Sequence, residues 1–198
     1  MILLSRKFLF IFFILLPEIA LAHSPIKGIG FFLNGVLHPL LVPAQVIAIV
    51  ALGLLYGQHQ EDKNKKSVLV FLMAIIAGLI LTGLFITPDV SILLLIVATI
   101  IGLIVVIGLT LPQTMYIILA VTVGFIVGLD SAQTDLDTRS TIVSLFGSGV
   151  GIYFLFLYSM ALSESLTHRQ WQKIAVRIMA SWLCASALMV LALRFSHL

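Results

Sequence analysis

The sequence predicts an all-α integral membrane protein, a bundle of six transmembrane helices after an N-terminal signal peptide. Three observations carry that expectation. Of the 198 residues, 61% are hydrophobic and only 10% charged, with a mean hydropathy of +1.22; a soluble domain carries about a quarter charged residues. Six apolar stretches beyond the leader each approach the ~20 residues that cross a hydrocarbon core. Lysine and arginine gather in alternate connections. The formal charge of +3 is too weak and dispersed for a nucleic-acid partner, so the bilayer is the expected surrounding.

The leader comes first. Arg6 and Lys7 precede the apolar core FLFIFFILL, and Ala20-Leu21-Ala22 has the small-x-small pattern of a cleavage site. Residues 1–22 thus read as a signal peptide cleaved after Ala22, and 23–198 as a single six-span domain. The alternative is an uncleaved extra helix.

The spans are expected at 31–57, 67–87, 90–111, 113–130, 141–163 and 174–195. Runs this continuous lack the alternation of a β-barrel, and lipid otherwise admits only helices. Pro88-Asp89 and Leu111-Pro112-Gln113 mark short turns. The loop QHQEDKNKK, with Lys63, Lys65 and Lys66, and the loop containing Arg169, Lys173 and Arg177 are four spans apart, so they share one side. The positive-inside rule makes that side cytoplasmic. DSAQTDLDTRS and both mature termini then lie outside, in what is expected to be a bacterial inner membrane. Three spans per half permit a 3+3 inverted repeat.

Small residues punctuate the spans. Gly124 and Gly128 form a G-x-x-x-G, and Gly147, Gly149 and Gly151 follow in the fifth span. Such residues read as helix-packing positions. Cys184, the single cysteine, reads as a small buried hydrophobe.

The polar residues inside apolar runs need a separate reason. His38 stands beside Pro39 in GVLHPLLVPAQ, with Asn34 one turn earlier and Gln45 after Pro43. Each proline removes a backbone donor and strands carbonyls near positions 35 and 39. Stranded groups at membrane depth must face protein or a wet cavity, so Pro39 and Pro43 read as a helix break lined by His38, Asn34 and Gln45. The bland reading of His38 is an interfacial ring bonded to a carbonyl. Asp130 directly follows the fourth span, and a carboxylate there is costly unless it has a function. Gln133, Asp135 and Asp137 read as a solvated loop. His38 and Asp130 are expected to share a hydrated chamber opening outward. His23 would offer both its imidazole and the new α-amino group once the leader is cleaved. Glu164 with His168, and His59 and His197, read as solvated. No Ser/His/Asp spacing, H-E-x-x-H or haem-ligating histidine pair occurs, so the protein is not expected to be an enzyme.

The stretch GFFLNGVLHPLLVPAQVIAIVALGLLYGQ resembles the first span of the HupE/UreJ proteins, small membrane proteins implicated in nickel and sometimes cobalt uptake. The resemblance extends over nearly the whole chain, from a leader ending before a histidine through six spans. His38 and Pro39 match the start of the family's His-x5-Asp-His motif, whereas its aspartate and second histidine fall on Ala44 and Gln45. GLDSAQTDLD stands where a second, histidine-rich motif follows the fourth span. The resemblance implies a permease or facilitator for a divalent transition metal entering from the extracytoplasmic side. Its site would be His38, Asp130, Gln45, Asn34 and His23, with no tightly bound cofactor. Amides and carboxylates in place of imidazoles favour harder ions. The alternative is a site-degenerate HupE/UreJ-like accessory subunit, in a homo-oligomer or a larger membrane complex.

Overall fold

The structure, a computed structural model, describes residues 28–58, 64–85, 89–133 and 136–196. The leader, His23, His59, Asp135 and His197 lie outside the described residues. Those residues form seven α-helices and no strand: α1 Phe31–Leu41, α2 Pro43–Gly57, α3 Asn64–Leu84, α4 Ser91–Ile107, α5 Gln113–Leu129, α6 Thr138–Ser165 and α7 Gln170–Ser196.

The expected first span is two helices bent by 74°. Pro39 lies inside α1, and the break falls at Val42, which is extended at φ −94, ψ 107. A residue before proline is driven out of the helical region by the proline ring. Pro43 then starts α2, where its missing N–H would have had no helical partner anyway. The Val42 N–H still donates to the His38 carbonyl at 3.2 Å, so the elbow is closed by a hydrogen bond rather than frayed. The break therefore needs only Pro43, and Pro39 is accommodated within a helix.

Helices α3, α6 and α7 are each long and apolar enough to cross a membrane alone, and the bent pair α1–α2 makes a fourth candidate. Helices α4 and α5 are apolar but only 17 residues long. Around the outside runs a belt of exposed large hydrophobics, among them Leu33, Leu69, Met73, Ile80, Phe154 and Trp182. Such a surface is stable only where the surroundings are as apolar as the side chains, which makes this a membrane protein.

Helix α2 is the axis of the bundle, with 12 of its 15 residues buried. It packs on α4 and α6, while α1 lies on α6, α3 on α5 and α4 on α7. The crossings are backbone-close. A Cβ on Gly35 would run into the Ser144 carbonyl, one on Gly147 into the Phe32 carbonyl and one on Gly151 into the Val36 carbonyl. On the other side Gly124 and Gly128 leave room for the carbonyls of Phe71 and Ile75, which an added Cβ would approach to 2.9 and 2.8 Å. Gly149 faces the Leu79 side chain. Without a hydrophobic drive between helices in lipid, close approach of this kind supplies the packing.

The helices alternate in direction, which sorts the polar residues to two ends. The α1–α2 elbow, the start of α4, the end of α5 and the end of α7 share one end, the His38 end. The ends of α2, α4 and α6 and the start of α7 share the other, the Arg177 end.

Candidate functional site

At the His38 end the elbow brings buried polar side chains into an otherwise apolar bundle. Residues Asn34, Gly35, His38 and Pro39 form the buried face of α1, at helical spacing, while Leu33, Leu37 and Leu40 are exposed. His38 is 2% exposed and Asn34 5%. Asn34 Nδ2 donates to the Ile29 carbonyl at 3.0 Å and so ties down the entry to α1.

One turn past the elbow, Gln45 is fully buried on α2 and reaches the end of α5. Its Nε2 donates to the Asp130 backbone carbonyl at 2.8 Å and to Asp130 Oδ2 at 2.9 Å. Both partners are acceptors, so this chemistry fixes which way round the amide sits. Both amide hydrogens are then used, and Gln45 Oε1 is left buried with no hydrogen-bond partner among the described residues. Asp130 is itself 8% exposed. Its Oδ1 lies 3.3 Å from Ser91 Oγ, which lies 2.6 Å from Asp89 Oδ1. Asp89 in turn pairs with Arg194 at 3.2 Å. A polar line thus runs from the half-exposed Arg194–Asp89 pair at the end of the bundle to the buried Gln45.

The end of α5 is held on two further sides. Thr82 Oγ1 on α3 lies 3.1 Å from both the Gly128 and Leu129 carbonyls at this helix end. Ser131 Oγ donates back to the Val127 carbonyl at 2.8 Å. These contacts fix the backbone that carries Asp130.

The elbow's other wall is α6. Ser144 and Ser148 lie on the face that meets Gly35, and their hydroxyls are buried without a hydrogen-bond partner among the described residues. Buried hydroxyls are normally satisfied, so two on one face, one turn apart, are conspicuous next to a broken helix.

The structure therefore joins Gln45 to Asp130 and buries His38 and Asn34 on the neighbouring α1 face. Asp137 is exposed at the start of α6, and a hydrogen bond from Ser140 holds its carboxyl below the usual carboxylate range. Gln133 is partly buried. Glu164 and His168 are exposed at the opposite end. Sequence reasoning missed Asp89, Ser91, Arg194, Ser144 and Ser148. For the serines a signal existed: with Gly147 and Gly151 they form one small-residue stripe at helical spacing. For Asp89 and Arg194 none did, because they are 105 positions apart. Among the described residues, no three His, Cys, Asp or Glu side chains converge as a metal-binding group.

Beyond Gln45 the bundle closes. Tyr56, Phe71 and Phe156 are fully buried, with Phe71 and Phe156 ring centroids 4.4 Å apart and Tyr56 edge-on to both Tyr116 and Phe156. Tyr56 OH donates to the Tyr116 carbonyl at 2.6 Å, satisfying its one hydroxyl hydrogen.

The family described as HupE / UreJ protein matches residues 11–191, most of the chain. No curated protein and no solved structure matches it.

Proposed function

The chain belongs to the HupE/UreJ family, and from that premise we propose that it is a six-span permease or facilitator for a divalent transition metal of the nickel or cobalt kind. The metal enters at the His38 end, which the positive-inside rule assigns to the extracytoplasmic face of the membrane. Six spans require α4 and α5 to cross as well. At 17 residues each is roughly 25 Å long, close to the ~30 Å core, and the flanking Leu109 and Leu111 extend the apolar length.

The observation that carries the reading is the Gln45–Asp130 contact. It ties a broken helix to a buried carboxylate, and intramembrane carboxylates and broken helices mark ion pathways. The donors suit passage rather than capture. His38 offers imidazole, Asp130 carboxylate, and Gln45 Oε1, with Asn34, amide oxygen. A permeating ion must be bound well enough to enter and loosely enough to leave, and a set with few imidazoles meets that need.

The test is accumulation of nickel, cobalt and manganese in cells expressing the full chain. His38→Ala and Asp130→Ala should each abolish the uptake at unchanged expression. Uptake equal to wild type in both variants overturns the proposal.

The second reading is an accessory subunit whose site has decayed. Ala44 and Gln45, in place of an acid and an imidazole, favour it. Co-purification with larger membrane proteins at fixed stoichiometry, without metal uptake, would support it over the first.

A further inference from the structure

The Arg177 end holds a cavity of ≈ 150 Å³ lined by Gln58, Gly108, Thr167, Lys173 and Arg177. Its floor is built from helix ends. Gln58 caps α2 and its Nε2 donates to the Val105 carbonyl at 3.3 Å. Gly108 caps α4 in the left-handed region at φ 75, and a Cβ there would strike the Arg177 Nη2. The glycine thus serves twice, once for its backbone angle and once for the space the guanidinium fills. Arg177 is consequently seated against backbone. Lys173 lies one helical turn earlier on the same face of α7.

The charge of the cavity is positive. Among the described residues, neither Lys173 nor Arg177 makes an ion pair with an acid, and the Arg194–Asp89 pair lies at the far end. Three helix C-termini bring about half a negative charge each and the α7 N-terminus about half a positive one. Among the lining residues the two whole cations, Lys173 and Arg177, outweigh them. The chain next to the lining residues on α4 and α7 is apolar and open: Ile107, Leu109, Trp171, Ile174 and Ile178 are all more than 45% exposed. A tryptophan at this level is typical of the headgroup zone.

We propose that this cavity binds a phosphate group, and that the natural source is the headgroup of an anionic phospholipid whose acyl chains lie along α4 and α7. Lys173 and Arg177 supply the charge, with Arg177 as the planar fork suited to phosphate oxygens. Gln58 and Thr167 add neutral polar contacts. Basic pockets between spans at the cytoplasmic side take such headgroups elsewhere. This site is independent of the His38 end and of metal passage.

The test is thermal unfolding of the full chain in detergent with added phosphatidylglycerol, with phosphatidylcholine of the same chains, or with inorganic phosphate. Wild type should melt about 5 °C higher with saturating phosphatidylglycerol than with phosphatidylcholine. The double variant Lys173→Gln with Arg177→Gln should lose that difference. An equal shift from inorganic phosphate alone would keep the site and assign it to the free anion. Equal melting of wild type in the two lipids, or an undiminished difference in the double variant, overturns the proposal. Should the double variant not fold, Lys173→Gln alone removes an exposed side chain and must still reduce the difference.

Discussion

The two ends of the bundle are packed alike and furnished differently. At both, helices touch through glycine: Gly35 lies against the Ser144 carbonyl near the elbow, and Gly57 against the Met160 carbonyl at the other end. Yet the His38 end buries an amide, a carboxylate, an imidazole and unpartnered hydroxyls, whereas the region around Tyr56 is aromatic, with the Tyr56 hydroxyl bonded to the Tyr116 carbonyl. Packing alone does not demand that difference. Polar groups cost more to bury than apolar ones, so the buried polar cluster at the His38 end points to a use.

Substitutions can break or sharpen this contrast. The largest effect should come from the crossings. Gly35→Val and Gly57→Ala both drive a side chain into backbone, and each should destabilise the protein by about 3 kcal/mol or more, read as the unfolding midpoint in detergent. Equal losses at the two ends would confirm that packing does not distinguish them. Next is Asp130→Ala, which leaves a buried Gln45 hydrogen without its acceptor and should cost about 1–3 kcal/mol. Asp130→Asn keeps the shape, so it should fold nearly as well and still fail in metal uptake. If Asp130→Asn transports normally, the polar end is structural and the contrast loses its meaning. Tyr56→Phe removes the hydroxyl that donates to the Tyr116 carbonyl and should cost about 1 kcal/mol, with uptake per folded molecule unchanged. Smallest is Arg194→Gln. Its pair with Asp89 is about half exposed on both sides, so the unfolding midpoint should move by no more than about 0.5 kcal/mol.

Much of the frame was legible in the sequence, because it depends on run length and on proline. Continuous apolar stretches declare helices in lipid, and the pair Pro39 and Pro43 announced a break before its position was known. The position itself was not legible. Two prolines look equivalent on paper, but only Pro43 follows a residue forced out of the helix, and Pro39 is absorbed. Gln45 and Asp130 stood out as polar groups in apolar surroundings, and local sequence could go no further, since their contact joins positions 85 apart. In sequence Asp89 is an ordinary turn residue beside a proline, and Ser91 falls inside the expected span 90–111. Only the arrangement of α4 against α5 gives Ser91 its place beside Asp130. In sequence Lys173 and Arg177 mark topology, and what they line depends on the left-handed glycine that ends α4.

Gln45 has a further consequence. Its side chain is a carboxamide, which neither gains nor sheds a proton across the biological range. A histidine in the same place would be near its midpoint there. A Gln45→His variant should therefore acquire, at the link between the elbow and α5, an acid sensitivity near neutral pH that the carboxamide does not supply.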